Sequence, residues 1–264
     1  KKLLYPDRKL QLLRRSGLDF AVIQKFTREF SRLTPTEFVE EMLVKRARMK
    51  AIVCGEDFCF GVQGKGTVAT LRELSAKYGF EVHVLPPVLH GETFVRSTMI
   101  RDLLYTGDVA AAAELLSRPH ELRGLVVRGQ GRGHTLGFPT ANLEVNPAYA
   151  IPARGVYLGA GYLPAGKVLK PALVNIGFNP TFGSERLTIE AHLVDFDGEL
   201  VGSDLYLFFL HRLRDEMLFP TPESLVAQIQ RDRAVALEYY DSPVARRHRE
   251  TVMSLVSETG PINC

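Results

Sequence analysis

The pattern of the chain changes once, near residue 120, and that change limits the possible folds more than any other feature. Before it, short apolar runs alternate with segments of helical periodicity. Phe20-Ala21-Val22-Ile23, Ala51-Ile52-Val53-Cys54 and Glu81-Val82-His83-Val84-Leu85 read as buried strands, the last stopped by Pro86-Pro87. Between them, Thr34-Pro35-Thr36-Glu37 has the form of a capping box, with Pro35 at the first helical position and Phe38, Met42 and Leu43 following at helical spacing. Strands that alternate with helices predict a parallel α/β sheet.

After residue 120 the strands are short and separated by Gly, Pro and Asn. Residues 124–127, 155–161, 171–176, 187–194 and 204–210 are the candidates. In the fourth, Leu187, Ile189, Ala191 and Leu193 alternate with Thr188, Glu190 and His192, as in a half-buried antiparallel strand. Strands at this spacing predict a barrel. A helix is expected over residues 222–240, with Leu225, Ile229 and Leu237 along one face. The segment after Asp241 is basic (Arg246, Arg247, Arg249) and is assigned no element. The boundaries read from these patterns are 1–120, 121–242 and a tail, 243–264.

Composition narrows the function classes. With 264 residues there is room for two domains that each bury a core. A net charge of +3 is too small to argue for nucleic acid and fits anionic small molecules. No apolar run reaches the length of a membrane-spanning helix. Lys1-Lys2-Leu3-Leu4-Tyr5-Pro6 lacks the features of a signal peptide, and the absence of an initial Met points to residues missing ahead of Lys1. Three cysteines without regular spacing (Cys54, Cys59, Cys264) fit neither a disulfide framework nor a zinc site; buried thiols in a reducing cytoplasm are expected.

The densest segment runs from Gly129 to Asn142. Alternating glycines let backbone amides turn towards an anion, which suits a phosphate cradle, and Arg132 adds a cation. No Gly-Lys-Ser/Thr follows, so this is not a Walker A loop. In Pro139-Thr140-Ala141-Asn142, a hydroxyl and an amide two residues apart offer neutral oxygens to a magnesium ion that bridges nucleotide phosphates. Taken alone, Thr140 and Asn142 are ordinary turn residues and Glu190 an ordinary strand carboxylate.

Together with the blocks that follow it, this segment resembles the riboflavin kinases. Their pattern is a glycine-rich loop followed by Leu-Gly-x-Pro-Thr-Ala-Asn. The further blocks in order are Gly155-Val156-Tyr157, Asn175-Ile176-Gly177-Phe178-Asn179-Pro180-Thr181-Phe182, Ile189 to Phe196, and Arg212-Leu213-Arg214-Asp215-Glu216. The resemblance covers residues 122–240. It implies that Thr140 and Asn142 hold Mg2+ and the ATP phosphates, and that Gly131, Arg132 and Gly133 cover those phosphates. It also implies that Glu190 is the general base and that Arg214 and Glu216 lie in the segment closing over the flavin. Val201 departs from the family, which usually has Tyr there.

The first half resembles the FMN adenylyltransferase module of bacterial bifunctional FAD synthetases. Asp57, in Gly55-Glu56-Asp57-Phe58-Cys59-Phe60-Gly61, matches a polar position facing flavin or nucleotide. Ser97, Thr98 and Arg101, in Val95-Arg96-Ser97-Thr98-Met99-Ile100-Arg101, match a phosphate site at a helix start, with Arg96 where Ser is usual. The family's His-x-Gly-His type motif is not found among the seven histidines, so this chain is expected to make FMN but little FAD. The implied fold is a partial Rossmann-like nucleotidyltransferase domain, then an antiparallel β-barrel riboflavin kinase domain with a C-terminal helix. The implied ligands are riboflavin, FMN and ATP, with no nucleic acid and no membrane; a homo-oligomer is left open. Two other readings stand beside this one. A non-catalytic flavin- or nucleotide-binding regulator would not need the Glu190 carboxylate. A nucleic-acid-binding barrel would need basic and aromatic residues interleaved on a sheet face, where this chain has Glu and Asp.

Overall fold

The computed structural model describes residues 1–129, 131–181 and 184–257, with the side chains of 132, 179–181 and 184–186 left aside. The chain forms two compact units, Phe20–Val95 and, from its two ends, Lys1–Asp19 with Arg96–Cys264. Helix α1 (Pro6–Arg15) belongs to the larger unit. Its Arg8 is fully buried and forks onto the equally buried Glu121 at 3.0 and 3.1 Å, while also donating to Gln11 and to the Leu255 carbonyl. A guanidinium at that depth is tolerated only because each face of it has an acceptor.

In the smaller unit, the capping box forms as the sequence predicts. Thr34 Oγ1 accepts from the Glu37 amide and Glu37 accepts from the Thr34 amide, starting α2 (Pro35–Glu37), which runs on as wider π-helical turns over Phe38–Arg46. Strands β1 (Ala51–Gly55) and β2 (Glu81–Leu85) pair in parallel on either side of α3 (Val68–Tyr78) in sequence, and a small hairpin follows, β3 (Leu89–His90) with β4 (Thr93–Phe94). Val39, Cys54, Phe60, Leu71 and Phe80 form the core.

Three expectations fail here. Residues 20–23 form no strand, and Phe20 and Val22 are 89% and 90% exposed. A four-residue apolar run carries no periodicity of its own, and the parallel sheet of this unit is only the β1–β2 pair. Nor are β1 and β2 buried on both faces: Val53 and Leu85 are exposed because a two-stranded sheet presents one face to the core and leaves the other uncovered. The thiols divide, with Cys54 buried and Cys59 exposed in the loop after β1, while Cys264 lies outside the described residues.

The larger unit continues through α4 (Ser97–Thr106) and α5 (Val109–Leu116) into a closed antiparallel barrel. Its strands are β5 (His120–Val127), β6 (Ala141–Val145), β7 (Gly155–Leu163), β8 (Val168–Thr181), β9 (Ser184–Leu193) and β10 (Asp204–Arg214), with a short helical turn, α6 (Arg132–Thr135), before β6. Around the barrel they run β10-β5-β6-β9-β8-β7. The alternation in β9 is realised from Ile189 onward: Ile189, Ala191 and Leu193 are buried at 4%, 1% and 3% exposure, and Glu190 and His192 take the other face, whereas Leu187, expected on the buried face, is exposed. Strand β6 is missing from the five strands expected, although Ala141 and Leu143 are buried and alternate with Asn142 and Glu144. Helix α7 (Pro222–Tyr240) starts at a Thr221–Ser224 capping box and has the expected bounds. The basic tail is a further helix, α8 (Pro243–Ser257), whose Ala245, Val252 and Val256 join Ala236 and Tyr240 of α7 against Leu158, Phe208 and Leu210 of the barrel.

His120 predicts a pH dependence of stability. It is fully buried, its Nε2 donates to the Ala150 carbonyl at 2.7 Å, and burial pushes its pKa down to about 4. Histidine in an unfolded chain titrates near 6.5. Between those values the unfolded chain binds a proton that the folded chain refuses, so stability is full above about pH 6.5 and falls as the pH drops towards 4. The slope for this one group is about 1.4 kcal/mol per pH unit. Urea unfolding at a series of pH values, compared with His120→Gln, which keeps a donor but does not titrate, is expected to show a flatter acid limb in the variant. Parallel limbs would assign the dependence elsewhere.

Candidate active site on the outer face of the barrel

The strand registers align one residue from each of five strands in a single row. Asn142 of β6 pairs with Glu190 of β9, Glu190 with Asn175 of β8, Asn175 with Val156 of β7, and Val156 with Arg214 of β10. All five line one cavity of about 440 Å³, bounded by the strands, the glycine loop, residues 216–219 and α7. Arg214 reaches the row through two register shifts in β10, between Phe209 and His211 and between Arg212 and Arg214. Such bulges re-aim a side chain at the end of a strand.

At the β6 end, the loop lies directly on the side chains of Asn142 and Thr140. A Cβ on Gly129 would collide with the Asn142 carboxamide, and one on Gly133 would collide with the Phe138 carbonyl and stand 3.1 Å from Thr140 Oγ1. The glycines are therefore needed for close approach, and Gly131 and Gly133 line the cavity beside Thr140 and Asn142. Arg132 opens α6, and its side chain lies outside the described part. Among the described residues no cluster of three or more His, Cys, Asp or Glu could cage a metal. The Thr140 and Asn142 oxygens instead fit Mg2+, which takes one or two protein oxygens and completes its shell with phosphate and water.

At the other end, Arg214 is held from behind. Its Nε and Nη2 fork onto Asp232 of α7 at 2.7 to 3.1 Å, Gln228 also donates to Asp232 at 2.8 Å, and Arg214 Nη1 donates to the Asp215 carbonyl at 2.9 Å. Asp232 is only 6% exposed, and both of its oxygens accept from Arg214. Arg214 thus ties β10 and residue 215 to α7, fixing the wall where Glu216, Met217, Leu218 and Phe219 line the cavity. Sequence reasoning missed Asp232. The available signal was its place among Leu225, Gln228 and Ile229 on one helical face, where an acid needs a buried partner. Phe138 packs edge-on against His192 at 5.5 Å, and the His192 ring donates to the Pro139 carbonyl at 2.9 Å. These two residues separate the cavity from a shallower one of about 420 Å³ that includes Asp195, Asp197 and Arg233.

The residues singled out in the first half do not line the barrel cavity. Asp57 lies exposed after β1 in the smaller unit. Ser97 and Thr98 are the exposed first residues of α4 in the larger unit, and Arg96 before them provides no side-chain cap, so the first-turn amides are open to an anion. Arg101 Nε donates to the Lys1 carbonyl at 2.6 Å.

Comparison with known proteins agrees with this geometry. A riboflavin kinase family model matches residues 116–240 and an FAD synthetase model matches residues 1–99. The bifunctional riboflavin kinase/FMN adenylyltransferase of Escherichia coli K12 is 34% identical over 236 residues, covering 88% of this chain and 74% of that protein. The Bacillus subtilis protein of the same name is 32% identical over 247 residues, covering 92% and 77%. A crystal structure from Streptococcus pneumoniae, titled as a macrolide-efflux protein, is 32% identical with a TM-score of 0.80 over 89% of this chain and 75% of that one. No helix among the described residues here is long and apolar enough to cross a membrane. The chain belongs to the bifunctional riboflavin kinase/FMN adenylyltransferase family, with the kinase match over the barrel and the synthetase match over its first 99 residues.

Proposed function

We propose that the barrel cavity transfers the γ-phosphoryl group of ATP to the terminal ribityl hydroxyl of riboflavin, giving FMN. The observation that carries this reading is the order of groups along the row: neutral oxygens and the glycine loop at one end, a carboxylate next, and an apolar wall at the other. The phosphates lie under Gly131 and Gly133 beside Thr140 and Asn142, where Mg2+, when bound, neutralises triphosphate charge. Glu190 accepts the proton from the attacking hydroxyl, since a primary alcohol is a poor nucleophile until its proton has an acceptor. The isoalloxazine packs among Phe178, Phe219, Leu225 and Ile229, with Arg214 and Glu216 fixing the wall beside it. The nucleoside of ATP occupies the shallower cavity beyond Phe138 and His192.

The second activity, adenylylation of FMN to FAD, is assigned to the first 120 residues. Ser97, Thr98 and Arg101 act on the nucleotide there, and Asp57 faces the flavin. Residues 121–242 are the kinase, followed by the helical tail, and a cytoplasmic enzyme that binds neither nucleic acid nor membrane is the setting. Incubating the chain with riboflavin, ATP and Mg2+ and separating the products by chromatography tests the assignment. FMN formed in step with ADP is the expected result, and flavin binding without turnover would favour a regulator. FAD in the same chromatogram reports on the second activity.

A further inference from the structure

We infer that Asn175 is a substrate-binding residue of the kinase site. It holds a secondary hydroxyl of the ribityl chain and makes the site selective for a polyol over a plain primary alcohol. This rests on the reading of Glu190 as the proton acceptor.

The row fixes the direction in which the acceptor must lie. Asn142 and Asn175 flank Glu190 on opposite sides, and neighbouring strands lie about 4.8 Å apart. The phosphates belong on the Asn142 side, with Thr140 and the glycine loop. A chain whose terminal oxygen meets Glu190 must therefore leave on the Asn175 side to reach the apolar wall past Val156. The interior hydroxyls of the chain pass Asn175 on the way.

The surroundings of Asn175 point the same way. It is half-buried and lines the cavity, and among the described residues its carboxamide has no hydrogen-bond partner in the protein. A polar group in a cavity without a protein partner is one that a ligand can satisfy. Its Nδ2 stands 3.5 Å from the point where a Cβ on Gly177 would lie, and the Glu216 carboxylate fills that point. The carboxamide is thus set between Glu190 on the adjacent strand and Glu216 above. Two carboxylates bracketing one amide make a site rich in acceptors, suited to the donors of a polyol.

The test compares riboflavin with a flavin carrying a 5-hydroxypentyl chain, which keeps the reacting alcohol and lacks the secondary hydroxyls. Asn175→Ala is expected to lower kcat/KM for riboflavin about tenfold and leave that for the analogue unchanged, the scale of one lost hydrogen bond. Discrimination between the two substrates then falls by the same factor. An equal loss on both substrates, or no loss on either, overturns the inference. Asn175→Leu, close to asparagine in shape, is measured alongside, so that the ratio is read even if the alanine variant does not fold. Glu190→Gln in the same assay separates the two readings. If it turns over normally, the assignment of the site fails. If it is inactive while Asn175→Ala behaves as wild type, only the inference fails.

Discussion

Replacing Glu190 with glutamine is expected to lower FMN formation by about 10²- to 10⁴-fold, the scale of a lost general base, while the chain stays folded and binds its substrates. The substitution isolates the chemistry because the strand that carries the position is held by its neighbours. Ile189 and Ala191 are buried on either side, and the strand is paired with β6 and β8 through Asn142 and Asn175. Glutamine keeps the shape and one acceptor oxygen but cannot take up a proton. Single-turnover conversion with ATP and riboflavin would give the rate, and calorimetric titration with riboflavin would show whether binding survives. A variant with wild-type turnover would make Glu190 a structural carboxylate and leave the proposed proton transfer without an acceptor.

How much of this was legible beforehand depends on whether a residue's partners lie near it in sequence. The first capping box was readable because Thr34 and Glu37 are three residues apart. The barrel was readable from strands such as β9, where burial alternates residue by residue. Strand β6 was hidden because its alternation covers only five residues and begins inside a segment read as a turn. The Phe20–Ile23 run misled for the opposite reason: it has the composition of a strand, but pairing depends on a neighbour that composition does not supply. The same distinction divides the site. Thr140, Asn142 and Glu190 stood out through a family pattern, but their grouping with Asn175 and Arg214 is a product of register. Asp232 escaped notice because its partner, Arg214, is eighteen residues away on another element.

Removing divalent metal is expected to stop FMN formation, with a loss of about 10³-fold or more, since charge neutralisation on a transferring phosphoryl group contributes several kcal/mol. Thr140 and Asn142 bring oxygens but no negative charge, and among the described residues no acidic cluster stands ready to hold a cation before the nucleotide arrives. A site built this way is expected to bind the metal weakly alone and tightly with ATP, because the phosphates would supply most of its ligands. Excess EDTA should therefore abolish turnover and added Mg2+ should restore it. Asn142→Ala should raise the Mg2+ concentration needed for half-maximal rate, because it removes one ligand oxygen from beneath Gly129 without touching the base. The measurement is the rate of FMN formation against free Mg2+ at fixed ATP, for wild type and variant. Turnover that persists in excess EDTA would show that Thr140 and Asn142 hold the phosphates without a metal, and would remove Mg2+ from the mechanism.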